Sequence, residues 1–234
     1  MQQFVFPLHL VRSKLQGLYV ITTGETAARH VQMAKAAIAG GAAIIQLRAK
    51  QLPFRESLQA AYNIRALTRS AKVLFLVNDR VDLALAAAAD GVHVGDDDMP
   101  VQAARRLLGP HAVIGASAST AKEAQEAARA GANYVGTGAI FATSSKADAG
   151  APIGLEGLRA VTDHSPVPVA AIGGIDQTNI AAVLQQHAAM ACVISAVSAG
   201  QDVTGMTART VQLAQAFIPD TRDREPVTPS NATS

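Results

Sequence analysis

Eight short apolar runs rich in β-branched residues punctuate the chain: GLYVIT (17–22), AAIIQLR (42–48), KVLFLVN (72–78), GVHVG (91–95), AVIGAS (112–117), NYVGTG (133–138), PVAAIG (168–173) and CVISAV (192–197). Most are apolar nearly throughout, as expected of parallel strands covered on both faces. Between them lie Ala-rich segments with helical periodicity, among them 25–40, 55–70 and 120–131. The last of these has Ser119 or Thr120 as its N-cap and Gly131 at its C-terminal end. Further helices are expected from about Ile175 to His187 and over 205–217. Strand–helix alternation, eight times in roughly 200 residues, predicts a single-domain α/β protein, a (β/α)8 TIM barrel. The barrel spans 17–217, after an N-terminal extension at 1–16. Residues 218–234, rich in Pro, Ser, Thr and charge, read as a disordered tail. A doubly wound sheet would need a GxGxxG turn after the first strand, and none follows it.

Composition narrows the picture. Hydrophobic residues make up 49% of the chain and aromatics only 4%, so the core has to be built from Ala, Val, Ile and Leu. A net charge of +2, from 20 basic and 18 acidic residues without a basic run, is no footprint for nucleic acid. No segment reads as a signal peptide or is apolar for long enough to span a bilayer, so no membrane partner is expected. The single cysteine, Cys192, excludes an internal disulfide. Set in the run ACVISAV, it reads as a small buried hydrophobe rather than a thiol nucleophile, and a cytoplasmic location is the default. The Asn231 sequon in the tail carries no weight in such a chain. A homo-oligomer is compatible with these features and not specified by them.

In this fold chemistry sits at the carboxyl ends of the strands, and unusual polar residues fall there at nearly every strand. The second run ends in Gln46, Arg48 and Lys50, two residues apart and so able to share one face. An Arg fork and a Lys point charge suit a polyanion, although a solvated strand end has the same composition. The third run ends in Asn78 and Asp79, and the fourth leads into Asp96, Asp97 and Asp98. Carboxylates from two neighbouring strands, beside basic side chains, suit Mg²⁺ held against a phosphate. Asp98 is equally suited to cap the helix that follows Pro100. Ser117, at the end of the fifth run, is either a ligand contact or a helix cap. The long loop 138–152 carries Thr143, Ser145 and Lys146, which suit wrapping an anion beneath a lid. Gly173 and Gly174 after the seventh run, with Ile194 and Ser195 in the eighth, occupy the usual phosphate corner of the fold, although paired glycines also make plain tight turns. These residues predict two anion sites on one rim, one assisted by Mg²⁺ and one metal-free, for small phosphorylated substrates. The six histidines form no HExxH or similar zinc pattern. His93, between valines, reads as a satisfied core residue.

Taken in order, the segments LYVIT, IIQLRAK, VNDRVDLALAAAADGVHVGDDDMP, IGAS, GANYVGTGAIFATSSK, AAIGGI and VISA resemble the thiamine phosphate synthase family over about residues 17–200. The resemblance implies the joining of an aminopyrimidine diphosphate to a thiazole phosphate, with loss of pyrophosphate and with Mg²⁺ as cofactor. It places Gln46 on the pyrimidine and Arg48, Lys50 and Asn78 on the diphosphate. Ser117 and Lys146 also contact that substrate, and Arg48, Lys50 and Lys146 carry the catalytic charge stabilisation. Asp79 and Asp98 would bind the metal. Thr143, Ser145, Gly174, Ile194 and Ser195 would bind the thiazole phosphate. The chain departs from the family pattern at Ala49, at Asp96 and Asp97, and at Ala139 and Ala142, where prolines are usual and whose replacement is expected to loosen the lid. Three competing readings are a thiazole tautomerase, a non-catalytic phosphate-binding barrel and a Schiff-base aldolase. The first needs a histidine where Ala139 stands, and the last needs an inward-facing lysine in place of the rim lysines Lys50 and Lys146.

Overall fold

A computed structural model describes residues 13–145 and 150–218. Residues 1–12, most of the tail and Lys146 lie outside the described residues. Eight strands follow one another as β1 (Gly17–Thr22), β2 (Ile44–Leu47), β3 (Leu74–Asn78), β4 (Gly91–Val94), β5 (Val113–Ser117), β6 (Tyr134–Thr137), β7 (Val169–Ile172) and β8 (Met190–Val193). All pair in parallel with their sequence neighbours. β8 pairs with β1 through Gly17↔Met190 to Val20↔Val193, which closes the barrel. The helices between them are α1 (Ala27–Ala39), α2 (Phe54–Ala71), α3 (Val81–Ala86), α4 (Val101–Leu108), α5 (Ala121–Arg129), α6 (Gly154–Thr162) and α7 (Ile180–Leu184), followed by α8 (Ser195–Ser198) and α9 (Val203–Gln215). Among the described residues no helix is long and apolar enough to cross a membrane.

Local chemistry explains where the elements start and stop. Thr120 caps α5 by accepting from the Glu123 N–H, and Gly131 follows the helix at φ 101°. Asp202 caps α9 through the Gly205 N–H at 2.7 Å, so that helix begins at Val203, two residues before the expected 205. Two expectations need correction. The helix expected from Ile175 to His187 is only Ile180–Leu184. Asp176 folds its carboxylate onto the Thr178 N–H at 2.8 Å, and Asn179 accepts from the Asp176 N–H, so local side-chain turns take the first residues. The eighth strand is Met190–Val193, not 192–197. Met190 is held in register from both sides, by Gly17 and Ala170. The chain leaves the sheet at Ile194 (φ −123°, ψ −77°), which puts Ser195 at the start of a short helix.

Two apolar layers flank the sheet. The outer one packs strand residues such as Ile45, Phe75, Val92 and Val135 against helix residues Ala34, Ala37, Ala60, Ala61 and Ile64. Alanine at these positions favours the helix and lets its backbone approach the sheet closely. The inner layer fills the barrel with Leu15, Tyr19, Ile44, Leu74, Leu76, Val113, Tyr134 and Met190. The glycines of β5 and β6 make room for two rings. A Cβ on Gly115 would stand 2.1 Å from the Tyr134 ring, and one on Gly136 would stand 2.9 Å from the His93 ring. Above these rings the barrel opens into a cavity.

Candidate active site

A cavity of about 550 Å³ occupies the carboxyl end of the barrel. That is the size of a small-molecule site. Gln46, Arg48, Lys50, Asn78, Asp79, Asp98, Ser117, Thr143, Ser145, Gly174, Ile194 and Ser195 all line it, and so do Asp96 and Asp97. Of the site residues expected from sequence, only Lys146 lies outside the described residues. Parallel pairing accounts for the convergence, because every strand delivers its carboxyl end to the same rim. Register sets the height: Asn78 lies beside His93, and Ser117 beside Gly136.

The most heavily charged corner joins the ends of β2, β3 and β4. Asp79 sits at φ 62°, an unusual backbone for a residue other than glycine, although Asp tolerates it better than most. Its carboxyl is half-buried and within hydrogen-bonding reach of Asp98. Burial and the facing Asp98 push it up to about 6, while Lys50, 3.5 Å away, pulls it down. Two carboxylates brought this close beside a lysine make a place that favours a cation. Asp98 is not a helix cap. Pro100 occupies that position at α4, and Asp98 instead accepts from the Gly95 N–H at 2.8 Å, which holds the turn after β4. The donor set fits Mg²⁺, a hard ion that takes one or two protein carboxylates and fills its remaining positions with water and phosphate oxygens. Among the described residues no three His, Cys, Asp or Glu side chains cluster as a metal cage.

Across the cavity lie the loops after β6, β7 and β8. Residues 139–141 are tied down rather than free: the Ile140 and Phe141 N–H groups donate to Ile172 and Gly173, and the Ile153 N–H donates to Ala139. Ala139 and Ile140 are buried. This half of the loop is therefore anchored to β7 and to the residues before α6 through backbone hydrogen bonds. Gly173 (φ 105°) and Gly174 (φ 64°) allow the close approach. A Cβ on either would meet Ala139 or the Ala142 carbonyl at under 3.0 Å. The paired glycines thus pack two loops together, and Gly174 still reaches the cavity. Thr143 accepts from the Ser145 N–H at 3.2 Å. At the eighth corner Arg29 holds the far end of α8, donating to the carbonyls of Ser198, Gly200 and Gln201 at 2.9–3.2 Å.

Sequence reasoning missed the floor of the cavity. Tyr19, Tyr134 and His93 line it together with Gln46, joined by hydrogen bonds across four strands. His93 is satisfied, as expected, but it faces the cavity rather than the core. An isolated glycine in each of two strands was the available signal, because such a glycine marks a close approach.

Fold and site together define a (β/α)8-barrel enzyme whose rim gathers a basic corner, a carboxylate pair and a glycine-lined loop crossing around one cavity. The profile of the thiamine monophosphate synthase family matches residues 18–197, and the chain belongs to that family. It is 48% identical over 194 residues to the thiamine-phosphate synthase of Moorella thermoacetica, covering 82% of this chain and 92% of that one. To the Chloroflexus aurantiacus thiamine-phosphate synthase it is 52% identical over 189 residues, 80% of this chain and 87% of the other. Among solved structures, thiamine phosphate pyrophosphorylase from Pyrococcus furiosus superposes with a TM-score of 0.79 at 41% identity, covering 88% of this chain and 96% of that one.

Proposed function

We propose that this protein is a thiamine phosphate synthase, joining an aminopyrimidine methyl diphosphate to a thiazole phosphate in a Mg²⁺-dependent reaction. The observation that carries this reading is the single cavity lined by Gln46, Arg48 and Lys50 beside the Asp79/Asp98 pair on one side, and by Thr143, Ser145, Gly174, Ile194 and Ser195 on the other. The bond from the methylene carbon to the diphosphate oxygen breaks, and its electron pair leaves with pyrophosphate. The amino-substituted ring disperses the positive charge left on carbon. The thiazole nitrogen then donates its lone pair to form the new C–N bond. Arg48, Lys50 and Lys146 neutralise the leaving group, with Asn78 and Ser117 fixing its orientation. Asp79 and Asp98 would hold Mg²⁺, which would supply further positive charge to the diphosphate. The second set of residues aligns the thiazole phosphate for capture, so proximity contributes much of the rate. No side-chain base is needed, since the nucleophile carries no proton to remove.

The test is pyrophosphate release by purified protein with both substrates, with each alone, and with or without Mg²⁺. Release that requires the pyrimidine diphosphate and Mg²⁺, with thiamine phosphate formed when thiazole phosphate is present, is the expected outcome. Folded protein that binds thiazole phosphate and releases no pyrophosphate would overturn the reading.

A further inference from the structure

A hydrogen-bonded chain runs beneath the cavity. Gln46 Nε2 donates to Tyr19 Oη at 2.6 Å, Tyr19 Oη lies 2.9 Å from Tyr134 Oη, and Tyr134 Oη lies 3.0 Å from His93 Nδ1. His93 Nε2 is 3.4 Å from Ser117 Oγ. Gln46, Tyr19 and Tyr134 are all almost fully buried. Burial pushes both phenols far above their ordinary range, so each keeps its one proton.

One proton per phenol makes the chain directional. Because Tyr19 receives the amide N–H, its own proton passes to Tyr134, and the Tyr134 proton passes to His93 Nδ1. That leaves the imidazole proton on Nε2, facing Ser117. At the other end it leaves the Gln46 amide oxygen available to the cavity. If the amide turned over, every bond in the chain would reverse. The orientation of Gln46 is therefore tied to the two tyrosines and to the tautomer of His93.

We propose that Tyr19 and Tyr134 are positioning residues that fix pyrimidine specificity by holding the Gln46 amide oxygen toward the ligand. A buried acceptor selects a pyrimidine bearing an amino donor and rejects its oxo counterpart, which would set two lone pairs face to face. The inference rests on the functional reading above, in which Gln46 meets the pyrimidine.

The test compares the affinities of the 4-amino and 4-oxo pyrimidine methyl monophosphates, measured as competitive inhibitors of pyrophosphate release and by calorimetry. Wild type is expected to favour the amino compound by about a hundredfold or more. In Tyr134→Phe the Tyr19 proton loses its acceptor, and within the chain the Gln46 amide oxygen is the one left to bind. The amide turns, and the preference falls below about tenfold, with the KM for thiazole phosphate unchanged. Tyr19→Phe removes the same lock one link earlier and serves if Tyr134→Phe fails to fold. A folded variant that keeps the wild-type ratio, or weakens both pyrimidines equally, overturns the inference while the functional reading stands. Wild type that binds neither pyrimidine overturns both.

Discussion

The two ends of this barrel treat charge in opposite ways. At the base Asp90 and Arg105 are each held by several partners. Asp90 accepts from Arg65 and from the Phe75 N–H, both at 2.9 Å. Arg105 donates to the carbonyls of Gly109, Pro110, Ala112 and Gly131 and to the Asn133 side chain. In this way it ties the turn before β5 to the turn before β6. At the mouth Asp79 is held at positive φ and faces another carboxylate, with one lysine beside it. The base uses polar groups to hold the loops in place. The mouth keeps unfavourable contacts that a bound cation and a diphosphate would relieve, which is how a site stays poised for its ligand at some cost in stability.

The largest effect should come from Asp79→Asn. Turnover is expected to fall about a thousandfold, while the metal-free protein gains about 1–2 kcal/mol from the lost repulsion. Pyrophosphate release and thermal unfolding in chelator measure the two halves, and a variant that loses both would place Asp79 with the base residues. Arg105→Ala should do the reverse. It removes the Arg105 donor from four backbone carbonyls and is expected to destabilise by about 2–3 kcal/mol, with both KM values intact. Thermal denaturation and steady-state kinetics decide it.

A pH series sharpens the contrast. The carboxyl of Asp79 is raised to about 6, so the fold binds this proton more tightly than the unfolded chain does. Metal-free protein should therefore lose stability as pH rises from about 4 to 6, and the loss persists above that window. Buried His30 works the other way, because its burial favours the neutral ring and so costs stability as pH falls. Denaturation of wild type against Asp79→Asn cancels the histidine: the gap should open between about pH 4 and 6 and close again on adding Mg²⁺. The smallest effect is expected from Arg29→Met, which releases the end of α8. The KM for thiazole phosphate should rise roughly fivefold, about 1 kcal/mol, with the KM for the pyrimidine diphosphate unchanged.

What was legible in the sequence was whatever depends on local pattern. β1 lies where the run GLYVIT places it, and twelve rim residues fall on one cavity because strand ends are easy to find and parallel closure does the rest. β8 was misplaced because the apolar run continues past the sheet. Only pairing with Gly17 and Ala170, far away in sequence, decides which part of it is strand. α7 was read too long because Asp176 and Asn179 fold their side chains onto backbone N–H groups that a periodicity reading assigns to the helix. The floor of the site was missed for a related reason. Tyr19, His93 and Tyr134 stand on separate strands, and nothing local to any of them reveals the others. The glycines opposite them, Gly115 and Gly136, were the trace that long-range packing left in the sequence.

Closure of the sheet has a consequence for how the chain is made. β1 bonds on one side to β2, some twenty-five residues onward, and on the other to Met190–Val193. During synthesis the first strand therefore waits with one edge bare until nearly the whole barrel has left the ribosome. The growing sheet carries a second bare edge on its newest strand. Until β8 arrives and removes both edges at once, every intermediate is an open sheet that can pair with another chain.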